Sequence, residues 1–400
     1  MKYEYRGLLF DDARHFHGKE ELKKMLDVMA ALDYNVLHWH ISDDQGFRLT
    51  LPGFERLSEH SSHRKDTNVG GYFKNRPGGP GNSGLYSPED VEEILDYAAA
   101  RNIKVMPELD IPGHFSAILS AYPEYTCDGV KIEVPGRFGV LENTLCLGKT
   151  EAREFAKGLA LAVARQMKAD SIHIGFDEIR TNKMCACPDC RKRAEELGLK
   201  SPAEMIPLFR TELAEFLKEN GIAAFAWEDP TSVREPDPSV VMEHWKPETN
   251  RTAAKCLNAG QKMVISDFYH TYADYPFCMT PLKKTFNYDP FFRGIEKKEN
   301  VIGLELTLWS EFFADNGKMR FHAYYRMAAL AEHWREGGRR SYEEFIEDLR
   351  SREEELFGRR LDIPESILNP SFGARLARFT RCMLKDSEYE YQLWLKTKGE

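Results

Sequence analysis

The sequence predicts a (β/α)8 barrel, and three observations favour this fold class. Eight short runs rich in β-branched and aromatic residues recur along the chain, and most are apolar throughout, as parallel strands buried on both faces are. Helical patterns lie between most of these runs, as a parallel barrel requires. No glycine-rich phosphate loop follows the first run, which argues against an open doubly wound sheet. The predicted strands are Arg6–Phe10, Asn35–His40, Ile103–Leu109, Ser171–Phe176, Ala223–Glu228, Val240–Trp245, Met263–Asp267 and Ile302–Trp309.

Several of the intervening helices carry start and stop signals. Ser87 and Ser201 each precede a proline and stand three residues before an acid, which is typical of a capped helix start. The helix after Ser201 is expected to end at Gly221. Other helices are predicted over Leu22–Met29, Phe155–Met167 and Phe321–Trp334.

Two long insertions and a helical extension are added to the minimal barrel. The glycine- and proline-rich segment His60–Leu85 follows the second strand, and Tyr122–Asn143 follows the third. Loops of this length are often functional, and both are expected to emerge on the catalytic face. Residues 1–336 are predicted to form the barrel, and residues 337–400 a short helical C-terminal extension packed on or beside it.

The composition excludes several function classes. The 400 residues are 42% hydrophobic and 30% charged, with a net charge of −9, which disfavours nucleic acid and anionic membranes as partners. No apolar run approaches the roughly 18 residues of a membrane span. The N-terminus lacks the apolar stretch of a signal peptide. We therefore expect a cytoplasmic protein, or a secreted one if a leader has been removed, that binds neither nucleic acid nor membrane. A homodimer stays open.

The eight cysteines are scattered, so a disulfide scaffold is not expected. Cys185, Cys187 and Cys190 form one cluster with a spacing that could serve zinc. A structural zinc site usually needs four ligands, and no other close pair of cysteines completes the set. We therefore predict a reduced loop here, with no metal and no cofactor. The glycosylation sequon at Asn250 is interpreted as chance.

Acids, histidines and tryptophans recur where seven of the predicted strands end. Because parallel barrel strands end at one mouth, where barrel enzymes have their active sites, these side chains should converge. Any one of them is more often a core or loop residue, but seven coincidences at one face favour a catalytic barrel. The residues are His38, His40, Asp43, Asp44, Glu108, Asp110, His114, His173, Asp177, Glu178, Trp227, Glu228, Asp229, His244, Trp245, Tyr272, Asp274, Trp309 and Glu311.

Acids and aromatic rings without a phosphate cradle suggest sugar chemistry. Glycosidic cleavage needs a carboxylic acid that protonates the leaving oxygen and a second group that steadies an oxocarbenium-like centre. Asp177 and Glu178 are adjacent, so in a regular strand they would face opposite sides. Only a turn at the barrel rim would bring both to one substrate, and the predicted fourth strand ends there.

Four motifs resemble glycoside hydrolase family 20, the β-N-acetylhexosaminidases, over roughly Arg6 to Trp334. They are Arg6-Gly7 with Ala13-Arg-His-Phe16, Asn35-Val-Leu-His-Trp-His-Ile-Ser-Asp-Asp-Gln45, Pro107-Glu-Leu-Asp-Ile-Pro-Gly-His114 and His173-Ile-Gly-Phe-Asp-Glu178. Together they are highly specific. The resemblance implies a substrate with a terminal β-linked N-acetylhexosamine on an oligosaccharide or glycoconjugate. It also implies substrate-assisted, retaining hydrolysis through an oxazolinium ion, for which this family is known.

The resemblance further implies a role for each matching residue. Glu178 would act as general acid and then base, and Asp177 would hold the acetamido N–H and stabilise developing positive charge. Asp43 and His114 would form a hydrogen-bonded relay behind Glu178 that adjusts the pKa of this acid. Tyr272 would align the acetamido oxygen. The implied binding residues are Arg6 for O3 and O4, Trp227, Trp245 and Trp309 for the acetamido methyl, and Asp274 and Glu311 around O4 and O6.

The sequence departs from the family pattern at a few positions. Phe176 stands where a small residue is usual before the Asp-Glu pair, and its bulk is expected to narrow the site or shift substrate preference. Glu305 replaces a frequent glutamine. Because the predicted barrel starts at once, we expect the N-terminal accessory domain that is common in the family to be absent. The segment with Cys185 has family counterparts, which favours a structural loop over a metal.

Two functions of other classes stay open at this point. A metal-dependent barrel hydrolase could use His38, His40, His114 and Asp177 as ligands. A non-catalytic sugar-binding barrel is the other alternative. Retention of Asp177, Glu178 and Tyr272 argues against it, because binding alone needs no acid placed to protonate a leaving oxygen.

Overall fold

The computed structural model describes residues 3–233 and 235–399, and it contains a closed barrel of parallel strands. Gly7 in the first strand pairs with Val36 on one side and with Glu305 on the other, which closes the ring. The predicted fold class is therefore confirmed. The barrel strands are β1 Tyr5–Asp11, β2 Val36–Asp43, β3 Lys104–Ile111, β4 Ser171–Gly175, β5 Ala223–Glu228, β6 Val240–His244, β7 Met263–Ile265 and β8 Val301–Leu308.

Helices cover the barrel except in one connection. Between β5 and β6, the described residues 229–233 and 235–239 contain no helix. This agrees with the sequence pattern, which predicted helices in most connections and not in all. Ser87 caps its helix through a reciprocal capping box with Asp90, as predicted. The helices that follow the other strands are Lys19–Ala31, Pro88–Ala99, Thr150–Gln166, Met205–Glu219, Asn250–Asn258, Leu282–Phe286 and Asn316–Ala331.

The barrel interior below the mouth is polar. The side chains of His38, Glu108, His173, Glu243 and Glu305 are fully buried there. His38 Nδ1 lies 3.0 Å from Glu305 Oε1, and His173 Nδ1 lies 2.9 Å from Glu108 Oε1. Buried charges are tolerated only when they are paired: burial lowers the pKa of His38, but the charges of Glu305 and Glu108 raise it well above its ordinary value. Burial lowers the pKa of His173 and raises that of Glu243, which favours the neutral form of each. These side chains form the floor beneath the site.

The insertion after β2 folds back as antiparallel ribbons. Strands Thr67–Gly70 and Asn75–Gly79 pair as a hairpin, and His63–Arg64 pairs with Asn82–Ser83. A strand over Gly46–Phe47 pairs antiparallel with the end of β2. Short helices elsewhere in the loops are Glu55–His60, Ser116–Ala121, Asn182–Ala186 and Pro188–Glu196, with 3-10 turns at Pro123–Tyr125, Pro202–Glu204, Pro247–Thr249 and Lys298–Asn300.

The C-terminal residues are helical and contact the hairpin after β2. The backbone N–H of Tyr72 donates to the carbonyl of Cys382 at 3.2 Å. The backbone N–H of Ser387 donates to the carbonyl of Gly70 at 2.8 Å. The C-terminal helices are Tyr342–Ser351, Glu353–Phe357, Glu365–Leu368, Phe372–Leu384 and Tyr389–Lys398. Of the helices in the described ranges, none combines the length and apolar character that crossing a membrane requires.

Candidate active site

A turn with left-handed backbone presents Asp177 and Glu178 at the mouth. From Gly175, the last residue of β4, the backbone turns: φ is +71° at Gly175, +72° at Phe176 and +49° at Glu178. Non-glycine residues adopt such angles at a cost of order 1–3 kcal/mol, and they concentrate at functional sites. The turn interrupts the alternation of a strand, so both carboxylates lie in one cluster with His114.

Phe176 fills the core behind this turn. Its ring is fully buried and packs against Phe209 of the helix Met205–Glu219, with centroids 6.1 Å apart. The expectation that its bulk narrows the site is therefore not met. The position favours glycine because of its positive φ, and burial of the ring offsets the strain.

The Asp177 carboxylate is buried among other acids. Oδ1 has no hydrogen-bond partner within the described part of the chain, and Oδ2 lies 4.0 Å from His114 Nε2. Burial raises the pKa of Asp177 to about 7, the carboxylates of Glu178, Glu108 and Asp229 add to the rise, and His114 opposes it. An unpaired buried oxygen of this kind is suited to accept a ligand N–H.

Glu178 is more open and has the opposite pKa shift. Its side chain is 32% exposed. Burial raises the pKa of Glu178, but the nearby His114 together with the charge of Lys246 outweighs it, so the pKa lies below its ordinary value. The two adjacent carboxyl groups are thus driven apart in pKa, which is typical of a catalytic pair.

His114 links Glu178 to a chain of buried charges. Its Nε2 lies 3.7 Å from Glu178 Oε2, and its Nδ1 lies 3.4 Å from Asp43 Oδ1. Arg14 Nη2 contacts Asp43 Oδ2 at 2.6 Å. Burial opposes protonation of the imidazole, yet Asp43 raises the pKa of His114 well above its ordinary value. The structure brings Asp43, His114 and Glu178 into the order of the expected relay, and the ring can hold a proton between the two acids.

Four aromatic rings form one wall of the site. Trp245 stacks on Tyr272 with centroids 6.3 Å apart, and Trp227 lies 6.4 Å from Trp245. Trp309 lies 5.9 Å from Trp227 and 6.3 Å from Tyr272. The indole N–H of Trp227 donates to Glu108 Oε1 at 2.8 Å, which fixes this ring. The result is a rigid apolar surface beside the acid pair.

Polar groups from β1, β7 and β8 meet on the remaining side. Asp274 is buried, and its Oδ1 has no hydrogen-bond partner among residues 3–233 and 235–399. Burial and the charge of Glu311 raise the pKa of Asp274 well above its ordinary value. Burial likewise raises the pKa of Glu311, which the cation of Arg14 opposes. Carboxyl groups beside a guanidinium offer both acceptors and donors to sugar hydroxyls.

Arg6 lies outside this site, which corrects the prediction made from the first motif. It stands at the N-terminal end of β1, where Nη2 lies 3.2 Å from Asp33 Oδ1 and Nη1 donates to the Tyr3 carbonyl at 2.9 Å. It lines a cavity of about 900 Å³ beside Trp334 at the opposite end of the barrel. Arg14, which follows the carboxyl end of β1, occupies the mouth instead. The rule that barrel sites form at carboxyl strand ends identifies Arg14 once the strand is placed.

The histidines proposed as metal ligands are engaged with protein groups. His38 Nε2 lies 3.3 Å from Glu108 Oε2, in addition to its contact with Glu305. His40 Nε2 lies 3.1 Å from Asp43 Oδ2 and 3.2 Å from Arg14 Nη1. A guanidinium at this distance repels a metal cation. The Arg14 guanidinium therefore disfavours a catalytic metal at His40, whereas His38 Nε2 has no hydrogen-bond partner among the described residues.

The clustered cysteines are arranged differently from the sequence expectation. Cys187 and Cys190 lie together with Cys127 and Cys146, which the sequence analysis left out. Cys185 is separate, and its Sγ lies 3.8 Å from Ser201 Oγ. Cys127 and Cys146 flank the insertion after β3, so only the fold brings them to the second pair.

Comparisons with known proteins agree with the geometry of the mouth. The catalytic domain of glycosyl hydrolase family 20 matches residues 3–337. A β-hexosaminidase of Akkermansia muciniphila is 30% identical over 363 residues, which are 87% of this chain and 72% of that protein. One of Porphyromonas gingivalis is 30% identical over 82% of this chain, and this chain spans 43% of that protein.

A solved structure shows the same fold. The crystal structure of a β-N-acetylhexosaminidase superposes with a TM-score of 0.82 at 28% sequence identity, covering 92% of this chain and 80% of that chain. The strand-end motifs, the acid pair at the mouth and the family match agree. The chain belongs to glycosyl hydrolase family 20 and is a glycosidase.

Proposed function

We propose that the chain is a retaining exo-β-N-acetylhexosaminidase that removes terminal β-linked N-acetylglucosamine or N-acetylgalactosamine. The observation that carries this proposal is the unpaired, buried Oδ1 of Asp177, a residue whose charge acts on Tyr272 of the aromatic cluster Trp227, Trp245, Tyr272 and Trp309. An acetamido group has an N–H to donate and a methyl to bury, so it is complementary to both features.

Asp177 orients the 2-acetamido group for internal attack. When ionised, it accepts the acetamido N–H and stabilises the positive charge that develops as the ring closes. Trp227, Trp245 and Trp309 surround the methyl, and Tyr272 donates its hydroxyl to the acetamido oxygen. Holding the nucleophile near the anomeric carbon is a proximity effect, which can supply several kcal/mol.

Glu178 acts as general acid in the first step and as general base in the second. The acetamido oxygen attacks the anomeric carbon while the glycosidic C–O bond breaks, and the proton of Glu178 passes to the leaving oxygen. Water then attacks the oxazolinium ion, Glu178 takes a proton from that water, and the acetamido group is restored. Two inversions at the same carbon retain its configuration. The support for this role is the contact of Glu178 with His114 and the position of both at the mouth.

Arg14, Asp274 and Glu311 close the site around the terminal sugar. Arg14 and Asp274 are buried and Glu311 is half-buried, so their polar groups are positioned to bind the hydroxyls of a terminal sugar, which supports exo action. Arg14 takes the O3 and O4 contacts that the motif assigned to Arg6.

The test is hydrolysis of an aryl β-N-acetylglucosaminide and an aryl β-N-acetylgalactosaminide, with the aryl β-glucoside as control. We expect turnover of the acetamido substrates only, because the glucoside lacks the internal nucleophile. The Glu178→Gln variant should lower kcat by ~10²–10⁴, the scale of lost general acid–base catalysis. Equal hydrolysis of the glucoside, or normal turnover by the variant, would contradict the proposal.

A further inference from the structure

We propose that Cys127, Cys146, Cys187 and Cys190 bind a structural Zn²⁺ ion that joins the loop after β3 to the loop after β4. The four Sγ atoms lie within 4.8 Å of one another. This site is distinct from the acid pair and does not depend on the proposed activity.

The spacing of the sulfur atoms fits a tetrahedral ion. The Sγ–Sγ distances are 3.9 Å for Cys127–Cys190, 3.8 Å for Cys146–Cys187 and 3.6 Å for Cys146–Cys190. Four thiolates at about 2.3 Å from one zinc ion have sulfur atoms about 3.8 Å apart. Disulfide sulfur atoms are only about 2.0 Å apart, so these distances do not describe disulfides.

Zinc explains the whole set better than thiol packing does. Two disulfides would join the cysteines in pairs, whereas Cys146 lies at nearly equal distances from Cys187 and Cys190. A tetrahedral set of four sulfur ligands is typical of zinc or iron, and a closed four-cysteine site is a common structural zinc centre. Cys146, Cys187 and Cys190 are buried, so water is largely excluded from the centre.

The surrounding backbone is suited to thiolates. Cys187 occupies the N-cap position of the helix Pro188–Glu196, and Cys190 lies in its first turn, where the helix dipole stabilises negative charge. The backbone N–H of Lys149 donates to the carbonyl of Cys146 at 3.4 Å, so the chain turns directly after this cysteine.

The two loops meet closely at this point. A Cβ added to Gly148 would lie 2.3 Å from the backbone N of Cys190, so a side chain there would separate the loops. Lys183 adds an outer contact, since its Nζ lies 2.9 Å from Asp128 Oδ2 and 3.1 Å from Asn143 Oδ1. The loop after β4 begins with the catalytic turn, so the zinc ion would hold this turn against the insertion after β3.

The first experiment measures the metal content of the intact protein, purified without added chelator. We expect a single zinc ion per chain by elemental analysis, released when a mercurial reagent blocks the thiols. Replacement by Co²⁺ should give the strong visible absorption of a tetrahedral thiolate complex. A metal-free protein with four reactive thiols, a disulfide within the set, or iron in place of zinc would overturn the proposal.

Variants locate the ion. Cys190→Ser should lose zinc and lower Tm by roughly 5 °C or more, since metal binding contributes to folding free energy. Cys127 is only half-buried, so Cys127→Ser should fold and show zinc affinity lowered about 100-fold or more in chelator competition. Cys185→Ser is the matched control, because Cys185 neighbours the site in sequence but not in space. Unchanged zinc affinity in Cys127→Ser, or equal zinc loss in Cys185→Ser, would refute the assignment.

Discussion

The two halves of the mouth are built in different ways. The half formed by β2, β3 and β4 carries Asp43 at the end of β2, and it carries His114 and the acid pair at turns with left-handed backbone, with φ +46° at His114 and +49° at Glu178. The half formed by β5 to β8 carries tryptophan and tyrosine rings that pack on one another. Charged groups need exact placement, which the strained turns and the paired charges provide. Rings need only close packing, so substitutions should affect catalysis in the first half and binding in the second.

The largest expected effect tests the charged half. Asp177→Asn keeps the size of the side chain but removes the charge that stabilises the oxazolinium ion, and its amide can no longer accept the acetamido N–H with both oxygens. We expect kcat to fall by ~10²–10³, the scale of a lost electrostatic stabiliser. Steady-state kinetics on an aryl β-N-acetylglucosaminide measures this. Near-normal kcat would exclude substrate assistance by Asp177.

Arg6, near the start of β1, and Arg14, which follows β1, allow a comparison of the same substitution at the two ends of the barrel. Arg14→Gln leaves Asp43 without its 2.6 Å partner and removes a donor to the sugar, so kcat/KM should fall by ~10–10³, as expected when one member of a buried charge pair is truncated. Arg6→Gln removes an ion pair with the exposed Asp33 and hydrogen bonds to the backbone carbonyls of Tyr3 and Asp33, all at the far end of the barrel, and kcat/KM should stay within about twofold. The same kinetic assay compares them. A larger loss for Arg6→Gln would reverse the assignment.

The pH profile tests the pairing of Asp177 with Glu178. The reactive state has one proton on the pair, and that proton must be on Glu178 while Asp177 is ionised. The opposite pKa shifts of the two groups favour the proton on Asp177 instead, so the acetamido N–H has to stabilise the ionised form of Asp177 when the substrate binds. The last proton leaves near the Asp177 pKa of about 7, so kcat/KM should fall about tenfold per unit above pH 7. Asp229→Asn removes a carboxylate that raises this pKa and should shift the descending limb to lower pH. A profile that keeps rising through pH 8 would contradict this.

The smallest effect on rate is expected behind the charged half. Phe176→Gly relieves the positive φ but removes a fully buried ring, and the loss of packing, ~3–5 kcal/mol, exceeds the relief of ~1–3 kcal/mol. We therefore expect a lower free energy of unfolding by denaturant, with KM nearly unchanged. A variant more stable than the natural chain would show that the strain at residue 176 dominates.

Much of the site could be predicted because its residues follow strand ends. Asp43, His114 and the acid pair stand in short motifs, and the barrel rule gathers them at one mouth. Arg6 was misplaced because a motif match does not tell which end of the strand a residue occupies, whereas Arg14 does follow the carboxyl end. Phe176 was misjudged because the direction of a side chain on a left-handed turn cannot be deduced from alternation.

The cysteine cluster shows a different limit of sequence reasoning. Cys187 and Cys190 are neighbours in sequence, but Cys127 and Cys146 approach them only when two loops pack together. Spacing rules detect ligands that share a turn, and they miss ligands that the tertiary fold supplies. A chelator effect on activity would therefore not indicate a catalytic metal in this chain, because loss of zinc would also loosen the loop after β4.

The backbone contacts between the hairpin after β2 and residues 382–387 have a consequence for synthesis of the protein. Tyr72 lies in this hairpin, and its hydroxyl donates to the carbonyl of Asp274 at the mouth. The hairpin leaves the ribosome early, but its partner Cys382 is translated after the whole barrel. The contacts that hold this hairpin can therefore form only after Ser387 has been translated. Until then the hairpin lacks the backbone partners that fix it beside the mouth.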